Sequence, residues 1–310
     1  LIATDLQQPA NPVKASRPEL KSKNGAAEAF THICQTCGGQ ILSNWQGLRT
    51  SDDPEYAHQM RVGVRRLRTA LRAYRGVIDT PATRALSRDL ARFGRRVGEL
   101  RDIDVLLADI VRTVKLSSKL KSSSAQLETL LEKRAKRIRE GLRRELGQTG
   151  WNALVLQVSL LPHGAGWSDA PGPDVKIRKH ARTALRKCWK PVTKRARRLN
   201  DLSIEERHEL RKNLKTLRYT LEFFGSVLPS GKTREFIARL RNLQDSFGYL
   251  NDVALAQTLP AITASAAQKN PQLRQIVTDV LAWHKREAAN AWQHSQIQWR
   301  QLEKQSKPWR

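Results

Sequence analysis

Apolar residues recur at helical spacing along almost the whole chain, and strand-like alternation is nearly absent. The clearest apolar stripes have spacings of three, four and three residues, and they comprise Val64, Leu67, Leu71 and Tyr74 and, further along, Leu214, Leu217, Leu221 and Phe224. The pattern predicts an all-α protein. Its predicted helices lie near 27–49, 54–78, 82–112 and 125–147, and again near 175–199, 203–227, 231–262 and 272–304. Asp52 and Asp53 before Pro54, and Ser203 before two glutamates, are helix-start signals.

The second set of helices repeats the first at a fixed offset of 150 residues. The motif that begins at His58 recurs at His208, and Gly98, Leu100 and Asp102 recur as Gly248, Leu250 and Asp252. A repeat of this length predicts two similar four-helix halves that face each other. Glycine, proline and charge patterns place the boundaries: a mobile tail over 1–25, the first half over 26–161, a linker over 162–174 and the second half over 175–310.

A basic stripe accompanies each apolar stripe on the second helix of each half. It starts six residues earlier, so at about 100° per residue the two stripes lie about 120° apart. The basic stripe therefore flanks the core, which predicts a site between the halves. Its members are His58, Arg61, Arg65 and Arg68, repeated as His208, Arg211, Lys215 and Arg218.

Two further sets of basic or titratable side chains are candidates for the same site. The segment 175–200 contains no acidic residue, and one of its helical stripes consists of Lys187, Lys190, Lys194 and Arg197. In the fourth helix of each half, Arg134 and His284 interrupt the apolar face at matching, inward positions. A salt bridge inside the bundle would explain Arg134 and His284 equally well.

Composition narrows the classes of partner. The chain has 56 Lys and Arg against 29 Asp and Glu, a net charge of +27, which attracts nucleic acid, an anionic membrane surface or a phosphate polymer.

No apolar run reaches the roughly 18 residues of a membrane span. Three cysteines without a dense framework favour a reducing, cytoplasmic setting. His32, Cys34 and Cys37 do not complete a zinc site. We therefore expect no membrane partner, no metal and no cofactor.

The motifs carry a resemblance to a known family. HQMRVGVRRLRTAL at 58–71 and HELRKNLKTLRYTLEFF at 208–224, with VGELRDIDV at 97–105 and FGYLNDVAL at 247–255, resemble the CHAD domain, the conserved histidine α-helical domain, over roughly 27–304. The resemblance implies two four-helix bundles related by a pseudo-twofold axis. It also implies a basic central channel, lined by the eight stripe residues, that binds inorganic polyphosphate. Thr216 stands where the first half has Arg66, which argues against a direct role for Arg66.

Three functions were weighed for the basic stripes. Arginine grips phosphate oxygens with two donors, lysine supplies a point charge and histidine adds a donor, so a polyphosphate-binding module, associated with polyphosphate granules, is the favoured hypothesis. The alternative is sequence-blind nucleic-acid binding at low salt. Phosphoryl transfer with His58 or His208 as nucleophile, and Asp102 and Asp104 on Mg²⁺, is disfavoured because no glycine-rich phosphate loop is present. We therefore expect a protein that is not an enzyme. The sequence leaves its oligomeric state open.

The two stripe histidines carry an expectation about pH. Each has an arginine three residues on, and a nearby positive charge disfavours the imidazolium form. A bound polyanion would favour it. Binding should therefore tighten as the pH falls from about 7 to about 5, with proton uptake.

Overall fold

The computed structural model describes residues 11–114, 121–170, 172 and 175–310, without the side chains of 121–123. Its described residues are helical with connecting turns, and they contain no β-strand beyond one isolated antiparallel bridge between Gly25 and Lys176. The predicted all-α class is confirmed. None of the helices in these ranges has the length and hydropathy needed to cross a membrane.

The first half consists of five longer helices and one short one. They are α1 (Ala26–Thr50), α2 (Pro54–Ala73), α3 (Arg75–Ile78), α4 (Pro81–Val105), α5 (Lys121–Leu146) and α6 (Thr149–Leu160). A π-helical turn, Leu106–Val111, extends α4, and a 3₁₀ turn, Leu161–His163, follows α6. The sequence pattern did not predict α6, because Gly147 and Gly150 interrupt the stretch that leads into it.

The second half consists of α7 (Ile177–Ala196), α8 (Ile204–Phe224), α9 (Ser230–Ala256), α10 (Leu259–Lys269) and α11 (Pro271–Lys304). The 3₁₀ turns Leu199–Asp201 and Gly225–Val227 flank α8. The helix predicted over 231–262 is in fact two helices. Pro260, in the first turn of α10, has no backbone N–H to donate to a continuing helix.

Side-chain caps start several helices, and those of α2 and α8 lie where the sequence predicted. The Asp53 carboxylate accepts the backbone N–H of Glu55 at 2.8 Å at the start of α2. Ser203 and Glu206 form a reciprocal capping box at the start of α8. Thr80 and Thr83 do the same for α4. These caps satisfy N–H groups that have no partner within the helix and so fix where α2, α4 and α8 begin.

Helix packing places α2 and α8 side by side where the two halves meet. In the first half α2 packs on α1 and α4, and in the second half α8 packs on α7 and α9. Contacts between α2 and α8, and between α5 and α11, join the halves. Buried apolar residues from both halves form one continuous core. The apolar stripes of α2 and α8 lie in it, from Val64 at 2 % exposure to Phe224 at 0 %. Their burial fixes the rotation of both helices and hence the direction of the basic stripes.

The N-terminal segment departs from the prediction of a mobile tail. Residues 11–24 lie against both halves in an irregular conformation that ends in a turn. The Asn44 side chain bonds both backbone groups of Val13, at 2.9 and 3.0 Å, and Leu20 is 5 % exposed. Arg66 is 1 % exposed and donates to the carbonyl oxygen of Ser16 and to Gln40 Oε1. Residues 11–24 show no helical or strand periodicity, so the pattern did not indicate that side chains of α1 and α2 hold this segment by hydrogen bonds. Residues 1–10 lie outside the described residues.

Candidate functional site

The basic stripes of α2 and α8 face each other across the junction of the halves. Lys215, on α8, is partly buried and lies within electrostatic range of Arg61 and Arg65 on α2 and of Arg211 and Arg218 on its own helix. Burial, followed by these four positive charges, lowers the pKa of Lys215 to about 6. We call this arrangement the facing rows; they comprise His58, Arg61, Arg65 and Arg68 of α2 and His208, Arg211, Lys215 and Arg218 of α8.

Arg61 is held in place by α4. Its Nη1 donates to Asp102 Oδ1 at 2.8 Å and to the carbonyl oxygen of Gly98 at 3.3 Å. A Cβ atom on Gly98 would stand 3.3 Å from Arg61 Cζ, so the glycine admits the guanidinium. Gly98 and Asp102 of α4 thus receive an arginine from α2, whereas Gly248, the equivalent glycine of α9, has open space.

The second half repeats this arrangement less tightly. Burial lowers the pKa of Arg211 to about 10, against the opposing effect of Asp252, and Arg65 and Arg61 lower it further. Burial also raises the pKa of the Asp252 carboxyl, while Arg211 favours its ionised form. Arg218 lies 3.8 Å from Glu222. In the described part of the chain, the buried Nε atoms of Arg68, Arg211 and Arg218 have no hydrogen-bond partner. Buried donors without a partner are uncommon in folded proteins, so these three atoms mark a site whose hydrogen bonding is incomplete.

The two histidines that begin the rows have different surroundings. His58 is partly buried, and its pKa is lowered by burial, then by Arg101, against the opposing effect of Glu55. His208 is exposed, and its ring Nδ1 lies 2.6 Å from Asn251 Oδ1, so the Nδ1–H donates to the amide oxygen. Burial lowers its pKa as well, and the Asn251 contact opposes the shift. The expected lowering of both pKa values agrees with the structure, although burial is the larger cause.

The facing rows have few counter-charges. Asp102, Asp252 and Glu222 neutralise part of Arg61, Arg211 and Arg218. Among the described residues, His58, Arg65, Arg68, His208 and Lys215 form no ion pair. Like charges held close together in a partly buried site repel strongly. A bound polyanion would relieve this repulsion.

The other predicted site residues lie elsewhere. Lys187, Lys190, Lys194 and Arg197 are all exposed on the surface of α7. Arg134 is exposed on α5, contrary to its predicted inward position, because the neighbouring Ala135 occupies that position at 5 % exposure. Their possible contact with a ligand stays a prediction.

His284 is inward, as predicted, but it is fully enclosed and fully bonded. Its Nε2–H donates to the carbonyl oxygen of Ile110 at 2.8 Å, in the π-helical turn, and its Nδ1 accepts from the Tyr249 hydroxyl at 2.9 Å. The side chain has 0 % exposure. These two bonds join α11 to α9 and to the π-helical turn that extends α4. His284 therefore holds the core together and has no free ring nitrogen for a ligand.

The remaining acidic and cysteine candidates are buried within the fold. Asp104 is buried, and burial raises the pKa of its carboxyl to about 6 despite Arg139 and Arg101. Cys34 and Cys37 are buried free thiols on α1. Within the described ranges, no three His, Cys, Asp or Glu side chains are grouped to hold a metal ion.

Sequence reasoning missed Asn251, which hydrogen-bonds His208, and Arg101, which lies within electrostatic range of His58. They occupy equivalent positions in RDID and NDVA, directly before Asp102 and Asp252. Their place in the repeated motif was the available signal. What the linear pattern could not show is that α4 and α9 bring this motif against the histidine end of α2 and α8.

Comparison with known proteins agrees with this architecture. The family model described as the CHAD domain matches residues 32–261. The crystal structure of the CHAD domain from the plant Ricinus communis is 28 % identical, with a TM-score of 0.81, and the match covers 96 % of this chain and 99 % of that one. PptA from Streptomyces chartreusis shares the fold at a TM-score of 0.66 and 15 % identity, over 89 % of this chain and 100 % of that one. No curated protein sequence matches the chain. The matched helices include α2, α4, α8 and α9, which build the facing rows, and the chain belongs to the CHAD domain family.

Proposed function

We propose that this protein binds inorganic polyphosphate between the facing rows of α2 and α8. The observation that carries the proposal is the position of Lys215 among arginines of both helices, where burial and like charge together disfavour its protonated form. Such a cluster is stabilised by an extended polyanion that meets cations on both sides. Polyphosphate binding is the property for which the family is known.

The shape of the site favours a thin, linear ligand. From His58 to Arg68 the α2 row extends about 15 Å, at about 1.5 Å per residue. Lys215 and Arg211 are partly buried, so their charged groups are reached by a chain of single phosphates more readily than by a duplex. Arginine Nε and Nη groups can grip non-bridging oxygens in pairs. Nucleic acid remains the alternative, bound through phosphates alone and at low salt.

We propose binding without catalysis. A phosphoryl-transfer site would need Asp102 and Asp104 free to hold Mg²⁺, but Arg61 occupies Asp102 and burial favours the protonated form of Asp104. His208 bonds Asn251, and His58 faces Arg101 and Lys215. Incubation with long-chain polyphosphate and Mg²⁺ should release no phosphate above the uncatalysed rate. Measurable release that depends on His58 or His208 would establish an enzyme instead.

The test of the site compares two pairs of substitutions in calorimetry with long-chain polyphosphate at fixed salt. Arg65→Gln with Lys215→Gln removes one basic side chain from each facing row. A charge-assisted contact is worth about 1.5–3 kcal/mol, so the pair should lower affinity about tenfold or more. Lys285→Gln with Arg286→Gln, both exposed on α11, removes two basic side chains elsewhere and should change affinity by about threefold or less. Equal losses in the two pairs would mean that diffuse charge is responsible.

Two further arms address the remaining candidates. Replacing Lys187, Lys190, Lys194 and Arg197 with Gln tests whether the α7 surface is part of the site. A loss of affinity larger than that of a matched set of exposed cations would show that it is.

Competition with duplex DNA separates the alternative function. If DNA displaces polyphosphate at equal phosphate concentration and moderate salt, and the same variants weaken both, the protein is a general polyanion binder.

We also propose that polyphosphate binding directs the protein to polyphosphate granules in the cytoplasm. A fluorescent fusion should colocalise with stained granules, and the Arg65→Gln, Lys215→Gln variant should become diffuse. Retention of that variant on granules would mean that another surface carries the association.

A further inference from the structure

The basic row of α2 does not end with Arg68. With the same spacing it continues to Arg72, in the last turn of α2, and to Arg75, the first residue of α3, and both are exposed. The equivalent positions of the second half hold Glu222 and Gly225. Glu222 is buried and lies 3.3 Å from Arg241 and 3.8 Å from Arg218, so it closes the α8 row. The row is therefore extended in the first half and closed in the second.

Helix α4 runs antiparallel to α2 and supplies further cations along the same seam. Going along α2, Arg61 meets Gly98 and Asp102 of α4, and Arg68 lies within electrostatic range of Arg95. Arg72 and Arg75 then share a cavity with Arg84 and Arg88, from the first turns of α4. The second half repeats Arg84 as Arg234 but lacks the other two cations. Ala238 and Asp245 of α9 stand where α4 has Arg88 and Arg95.

The cavity at the end of this seam has a volume of about 290 Å³. Besides the four arginines, it is lined by the Ser87 hydroxyl and by one carboxylate, Asp79. Asp79 lies 3.0 Å from Arg84 and 3.7 Å from Arg75. Within the described residues, Arg72 and Arg88 form no ion pair. The cavity thus carries an excess of guanidinium donors over carboxylate acceptors, which suits a phosphate group.

We propose that the cavity formed by Arg72, Arg75, Arg84 and Arg88 is a second phosphate subsite, which the polyphosphate chain reaches after it leaves the facing rows. The α2–α4 seam is then the path of the chain, and it extends in one direction because the second half lacks it. The proposal rests on the proposed function. From Arg61 to Arg75 the path measures about 21 Å along α2 and into the start of α3. A short oligophosphate covers only part of it, whereas a long chain occupies the rows and the cavity at once and gains from the linkage.

The test measures tripolyphosphate and long-chain polyphosphate binding by calorimetry in the same variants. Arg72→Gln, Arg75→Gln and Arg88→Gln together remove three exposed cations of the seam. The affinity for long chains should fall about tenfold or more, and the affinity for tripolyphosphate by about threefold or less. The matched control is Lys285→Gln, Arg286→Gln and Arg300→Gln on α11, also exposed. Equal losses of long-chain affinity in the two triple variants would overturn the proposal.

A substitution that should raise the affinity for long chains makes the test independent of misfolding, because a loss of folding would lower the affinity. Asp79→Asn removes the carboxylate from the cavity lining and should raise long-chain affinity while leaving tripolyphosphate affinity unchanged. Unchanged or lower long-chain affinity in Asp79→Asn would contradict the subsite.

The outcome for Arg65→Gln with Lys215→Gln separates the two proposals. If this pair loses affinity for both ligands but the seam variant behaves like its control, the facing rows bind polyphosphate and the cavity does not. If the pair behaves as wild type and the seam variant alone loses affinity, the proposed function fails at the facing rows.

Discussion

At the scale of single residues, Lys215 couples the proposed ligand site to stability. Its ordinary pKa of 10.5 falls to about 6 in the folded protein, because burial and the neighbouring arginines disfavour the ammonium. Between these two values the unfolded chain holds a proton that the folded protein does not. The folded state is therefore penalised most below pH 6, and the penalty shrinks as the pH rises toward 10.5.

Replacing Lys215 with Met should stabilise the free protein. The substitution keeps most of the side-chain length, removes a poorly solvated amine and should raise the free energy of unfolding at neutral pH by about 1–4 kcal/mol. It should also reduce the rise of stability with pH above 6. Urea unfolding across this pH range measures both effects. A variant with the wild-type midpoint and the wild-type pH dependence would show that the amine is well solvated in the folded state.

The same residues predict proton uptake on binding. A polyanion between the rows favours the charged forms of Lys215, His58 and His208, whose pKa values are all lowered in the free protein. Lys215 should take up protons near neutral pH, and the histidines below it. Calorimetry in two buffers of different ionisation enthalpy measures the uptake. Lys215→Gln should reduce it at neutral pH, whereas His58→Gln with His208→Gln should reduce it, together with the pH dependence of affinity, only under more acidic conditions. Unchanged uptake in every variant would assign the protons to other groups.

At the scale of elements, α2 carries three functions on three faces. Its apolar stripe packs in the core, its basic row faces α8, and Arg66, between them, anchors the N-terminal segment. Adjacent arginines thus have opposite roles: Arg65 is partly exposed toward the site, whereas Arg66 is enclosed and bonds Ser16 and Gln40. One step of about 100° around the helix accounts for the difference.

This division predicts a double dissociation between stability and binding. Arg66→Met should lower the free energy of unfolding by about 2–4 kcal/mol, because it leaves buried acceptors of a charged donor unpaired. It should also expose residues 11–24 to proteolysis, with polyphosphate affinity little changed. Arg68→Met should weaken binding without that loss of stability. Urea unfolding, limited proteolysis and calorimetry on both variants decide it; a large affinity loss in folded Arg66→Met would place Arg66 in the site.

The elements also show where sequence reasoning succeeds and where it stops. Spacing along one helix predicted α2 and α8 and the flanking position of their basic rows, because burial of the apolar stripe fixes the rotation of a helix. It misplaced Arg134, since Ala135 fills the inward position equally well. It also missed the anchoring of residues 11–24, which depends on side chains of Asn44 and Arg66 from distant positions in the chain. Contacts between elements leave no period in the sequence.

At the scale of the whole molecule, the facing rows place charged side chains beside one continuous apolar core. The net charge of +27 opposes the compact state through self-repulsion, and the facing rows concentrate part of that charge where the halves meet. The contacts of α2 with α8 and of α5 with α11 hold the halves together against it. A polyanion between the rows should therefore act as a bridge between the halves as well as a ligand.

Salt and polyphosphate should each stabilise the protein, and salt should reduce the stabilisation that polyphosphate provides. Raising the salt concentration from about 50 mM to about 300 mM screens the exposed part of the repulsion and should raise the Tm of the free protein. Saturating polyphosphate at low salt, at about 100 times Kd, should add about 2.7 kcal/mol and raise the Tm by roughly 4–8 °C. Because binding weakens as salt rises, that increment should shrink over the same range.

Differential scanning calorimetry of wild type and of Arg65→Gln with Lys215→Gln measures both effects. In the double variant the free protein should melt higher and gain less from polyphosphate. If it gains as much as wild type, the ligand stabilises the fold from another surface, and the facing rows are not the bridge between the halves.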